Sequence, residues 1–115
     1  MTAEIAAADG AYAFHAGRVP LRALGPGVMG KEARMEDGLI VRYQERAPGH
    51  DGHEWCESGH TAYILAGRLR YEFPDQVVEV GPGDIVHIPA GHAHRHRPRV
   101  VGSATVRYFI TEFFA

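Results

Sequence analysis

The sequence contains a single cysteine, Cys56, among 115 residues, so no disulfide can form within the chain. It lacks an excess of either charge. Twelve Lys and Arg face fourteen Asp and Glu, for a formal net charge of −2 with histidine neutral. Such a balance gives no long-range pull towards nucleic acid or an anionic membrane, and neither is expected as a partner. No apolar run approaches the ~20 residues that a membrane-spanning helix needs. The stretch from Met1 to Gly10 has no basic region followed by a continuous apolar one. No signal peptide is therefore expected, and a cytoplasmic location is the default. The first 25 or so residues are Ala-rich and show no helical periodicity.

What is present fits one domain over 1–115. The chain is 45% hydrophobic and 23% charged, ordinary values for a globular protein. A domain of this length should bury roughly 65% of the surface that its unfolded chain exposes, enough for a core without staples. Histidine is the anomaly. There are eight, and seven of them (His50, His53, His60, His87, His92, His94 and His96) fall between positions 50 and 96.

From Gly25-Pro26-Gly27 onward the sequence reads as short strands divided by Gly and Pro turns. Residues 1–27 form an N-terminal extension or edge strand, with Ala13-Phe14-His15 a short strand at most. Strands are expected at 39–44, 60–65, 68–73, 76–80, 85–88, 92–97 and 104–114. The run Arg68-Leu69-Arg70-Tyr71-Glu72-Phe73 alternates charged and apolar residues, as a half-exposed antiparallel strand does. Ala66-Gly67, Pro74-Asp75, Gly81-Pro82-Gly83-Asp84 and Pro89-Ala90-Gly91 supply the turns. Many short strands with little helix indicate an all-β sandwich or barrel. Closing the barrel, or dimerising through an edge, deals with exposed strand edges. The apolar strand Tyr108 to Phe114 would place one face in the core and the other against a partner subunit.

Two segments resemble the paired motifs of the cupin superfamily. The second motif runs glycine, five residues, Pro-x-Gly, two residues, histidine, three residues, Asn; Gly83 to His94 matches every element through the histidine, and Pro98 stands in the last position. In the first motif, His-x-His, three or four residues, Glu, six residues, Gly, the glycine is Gly67 and the glutamate position holds His60. A three-residue gap puts Glu54 and Cys56 at the histidine positions; a four-residue gap puts His53 and Trp55 there. The first register supplies two metal-binding groups and is preferred, and strand alternation would face Glu54 and Cys56 the same way. The stretch from Trp55 to Gly67 also resembles small single-domain bacterial cupins with a Trp-Cys…Gly-His signature. The resemblance covers 39–110 and implies a double-stranded β-helix, or jelly roll, as a homodimer.

It further implies one divalent metal held by Glu54, Cys56, His60 and His94. Such a mixture of carboxylate, thiolate and imidazole suits zinc; two histidines and a carboxylate would also suit iron, and nickel and copper stay open. His96, two residues past His94, is an alternative ligand or a base beside the metal, or else sits at the barrel mouth. His53 is a further alternative ligand. His50, His87 and His92 are expected outside the site. Two functions follow from the resemblance: a metal-dependent enzyme on a small polar metabolite, of dioxygenase, isomerase or lyase type, or a non-catalytic module that binds or senses a metal or small ligand.

Overall fold

The structure, a computed structural model, describes residues 5–52 and 54–114. Among these are nine strands: β1 (Arg22–Gly25), β2 (Val28–Arg34), β3 (Ile40–Arg46), β4 (His60–Ala66), β5 (Leu69–Glu72), β6 (Val77–Val80), β7 (Ile85–Ile88), β8 (Arg97–Val100) and β9 (Val106–Glu112). They form two antiparallel sheets, ordered β1-β2-β3-β9-β4-β7 and β6-β5-β8. The fold is the all-β double-stranded β-helix anticipated from the motifs. The described residues contain no helix long and apolar enough to cross a membrane.

Period-two alternation explains the core. On β4, His60, Ala62 and Ile64 point inward while Tyr63 and Leu65 are exposed. On β9, Val106, Tyr108 and Ile110 point inward and meet Leu69, Tyr71 and Val80 of the smaller sheet. Ile64, Leu69 and Val106 are fully buried, and burial of each such side chain contributes about 1.5–3 kcal/mol. β9 lies between β3 and β4 and pairs with both. The last strand thus closes the larger sheet at its centre. Its outward side chain Phe109 stands in one cross-strand row with Tyr43, Tyr63 and Ile85. This is the face expected to meet a partner subunit, and in the single chain Phe109, Tyr63 and Ile85 are exposed.

Three expectations about local structure are corrected. Gly25-Pro26-Gly27 is the turn of a β1–β2 hairpin that the sequence reading did not anticipate, with Gly27 at φ 70°. β2 interrupts its apolar positions with Gly30, Lys31 and Glu32, so the usual β-branched signal is weak there. Ala13-Phe14-His15 is not a strand; it leads into a 3-10 turn at Ala16–Arg18. The strand expected at 92–97 begins only at Arg97, because His92–His94 form a 3-10 turn.

Candidate metal centre

Cys56 lies in the segment before β4 and is fixed by a two-way backbone bridge to His96. Cys56 N donates to His96 O at 2.7 Å, and His96 N donates to Cys56 O at 3.0 Å. His60 opens β4. Both imidazoles are buried, His60 at 7% exposure and His96 at 1%. His96 also packs edge-on against His60, with centroids 5.1 Å apart, and against Tyr71.

The backbone orients both rings in the same manner. His60 Nδ1 is 2.8 Å from the Thr111 carbonyl, and His96 Nδ1 is 3.0 Å from the His94 carbonyl. A carbonyl oxygen only accepts, so each Nδ1 carries a proton and each Nε2 is the nitrogen left to face the site. A histidine metal ligand characteristically has its other nitrogen held this way. His60 Nε2 is 3.5 Å from Cys56 Sγ, and the ligand atoms of Cys56, His60 and His96 all lie within 4.8 Å of one another.

The three groups do not satisfy one another: Cys56 Sγ lies 3.5 Å from His60 Nε2, and His96 Nε2 is buried with no hydrogen-bond partner among the described residues. An unsatisfied buried acceptor costs about 1–3 kcal/mol. A tetrahedral zinc at its usual bond lengths would space sulfur and nitrogen ligands roughly 3.6 Å apart, close to the 3.5 Å between Cys56 and His60. The three residues fit a metal. Burial pushes the Cys56 thiol up, but contact first with His60 and then with His96 outweighs it and brings the thiol down to about 5. Burial lowers His96, and the Cys56 contact and the His94 carbonyl together raise it above its ordinary value.

The remaining candidates lie elsewhere. Glu54 is exposed and outside the group of three. His94, expected to point into the barrel, is exposed. Gly91 at φ 124° starts a turn in which His94 N bonds Gly91 O and Arg95 N bonds His92 O. That turn breaks the alternation, so His94 and His96 do not share a face. His53 lies outside the described residues. His50 is exposed, His87 bonds Thr61 Oγ1 and stacks on Phe113, and His92 pairs with Glu57 at the surface. Trp55 is partly exposed, beneath Arg97 at 4.3 Å. The sequence reading missed Arg42, Gln44 and Arg46. Their alternate spacing on β3 was the available signal, and all three face the barrel interior.

The sequence profile of the cupin domain matches residues 39–112. No curated protein matches the chain. Among solved structures it is similar to KdgF from a Halomonas species, with 16% identity over 84% of this chain and 87% of that one and a TM-score of 0.66. It is also similar to the cupin domain of Schizosaccharomyces pombe Cnp3, with 13% identity over 90% and 70% and a TM-score of 0.69. The EutQ protein of Clostridium difficile shares 16% identity over 90% of this chain and 86% of its own, with a TM-score of 0.65. These likenesses establish a shared fold. With the profile match spanning most of the barrel, the chain belongs to the cupin family.

Proposed function

We propose that this cupin is a metal-dependent protein that holds one divalent cation between Cys56, His60 and His96 and acts on a small polar molecule. The carrying observation is the convergence of a sulfur and two imidazole nitrogens, one of them buried with no hydrogen-bond partner among the described residues. The donor set favours zinc: thiolate and imidazole are both good zinc ligands, and three protein ligands leave a fourth position for water or substrate. A bound zinc would supply Lewis acidity, polarising a substrate oxygen or acidifying a water.

The chain's own residues set the conditions for that chemistry. The carbonyls of Thr111 and His94 hold the two imidazoles in one tautomer. The thiol of Cys56, already low at about 5, needs no proton removed on binding at neutral pH. Tyr71 is fully buried beside His96, and burial raises its hydroxyl far above the ordinary phenol range. It therefore keeps its proton and does not become a competing anion beside the site.

Metal content of the purified full chain tests the reading. The wild type should carry about one zinc per chain, and Cys56→Ser, His60→Ala and His96→Ala should each lose 10-fold or more in affinity. Glu54→Gln and His94→Ala should retain the metal. Metal kept in His96→Ala but lost in His94→Ala would place the centre elsewhere and overturn the proposal.

A further inference from the structure

A cleft of about 1490 Å³ opens on the inner face of β2 and β3, next to the loop at 49–52. Its charges are unevenly matched. Four arginines (Arg22, Arg34, Arg42 and Arg46) line it together with three carboxylates. Each carboxylate has a cation. Glu32 is held by Arg42 at 2.6 Å and Arg22 at 2.8 Å, Glu112 by Arg42 at 3.1 Å, and Asp51 by Arg99 at 3.6 Å. Arg42 and Arg22 are thereby neutralised in place. Arg46 is different: it is half-buried, and its Nε donates at 3.3 Å to the hydroxyl of buried Tyr108, a neutral group.

A half-buried guanidinium facing a neutral phenol, with no counter-charge among the described residues, presents a planar fork that suits an oxyanion with two acceptor oxygens. Gln44 lies two residues along the same strand face and also lines the cleft. Its partner on β2 is Gly30, and Leu24, which also lines the cleft, packs into the space a side chain there would take. The cleft also reaches towards the candidate metal centre. Glu112, at its inner wall, is on the same face as His60 on the neighbouring strand, bracketed by the pairs Ala62↔Ile110 and Gly59↔Phe113.

We infer that this cleft is a binding site for a small organic oxyanion, a carboxylate or a phosphate ester, whose charged group is held by Arg46 with Gln44 beside it. The site is distinct from the three metal-binding side chains, none of which lines the cleft, and the inference does not rest on the metal reading.

Calorimetric titration of the full chain with succinate in one arm and glycerol 3-phosphate in the other tests it, each with and without prior chelation. At least one probe should bind saturably, and the arm that binds tells carboxylate from phosphate. Arg46→Gln should weaken binding at least 10-fold, and Arg46→Lys, which keeps the charge but not the fork, by a smaller factor. Arg34→Gln, at the exposed rim, should change it less than 3-fold. Zinc content should be the same in Arg46→Gln as in the wild type, so that loss of the metal reading and loss of this one register separately. Unchanged affinity in Arg46→Gln and Arg46→Lys, or no saturable binding of either probe, would overturn it. Should Arg46→Gln fail to fold, Gln44→Leu provides the second measurement, with weakened binding expected and wild-type affinity counting against the site.

Discussion

Cys56 is half-buried, and burial alone would keep its proton on. The His60 contact, and after it the His96 contact, reverse that and bring the thiol from the ordinary value of 9.0 to about 5. A group whose proton affinity falls on folding adds stability above its ordinary value, and that stability is lost as the pH drops through its folded value. For Cys56 that stability is lost progressively as the pH falls from about 9 to about 5, and below that none of it is left. In chelator-treated protein, the ultraviolet absorbance of the thiolate should titrate with a midpoint of about 5. His60→Ala should raise that midpoint, because His60 is the largest of the influences that lower it. A wild-type midpoint near the unperturbed thiol value of about 8.5 would show that the imidazoles do not face the sulfur.

At the scale of elements, the turns were the most legible part of the sequence. Ala66-Gly67 reads as a tight turn and joins β4 to β5. Gly67 has φ 81°, and a Cβ there would come within 2.8 Å of Thr105 O and 2.9 Å of Val106 Cα, both backbone atoms. Gly83 has a comparable φ of 89° but open space around it. Gly83→Ala should therefore cost about 1 kcal/mol from backbone strain alone, and Gly67→Ala about 2–4 kcal/mol from strain and clash together. Urea unfolding of the two variants gives the order, and equal midpoints would rule out the clash. The strands after residue 39 were legible because they alternate or are β-branched; β1 and β2 were not, since a strand with glycine and charges inside it carries little propensity. The site was legible in kind more than in position. Cys56 and His60 are read from the motif, with His96 as an alternative ligand, but which of His94 and His96 turns inward depends on a single 3-10 turn. A His-x-His-x-His spacing looks like a strand whether or not Gly91 coils the chain.

On the scale of the whole molecule, the three proposed ligands come from parts that the backbone joins only loosely. His60 belongs to the six-stranded sheet, His96 immediately precedes β8 of the three-stranded sheet, and Cys56 lies in the segment between β3 and β4. Only an isolated bridge ties Cys56 to His96. A cation among them would clamp the two sheets at one end of the barrel, and whatever binds the native chain but not the unfolded one stabilises it by mass action. Zinc at 100 times its dissociation constant contributes about 2.7 kcal/mol, which for a domain of this length raises the melting temperature by about 10 °C. The shift should disappear on chelation and in His96→Ala, and should persist in His94→Ala, whose side chain is exposed. A melting temperature indifferent to zinc in the wild type, or a shift of equal size in wild type and His96→Ala, would mean that no metal joins the sheets through these side chains.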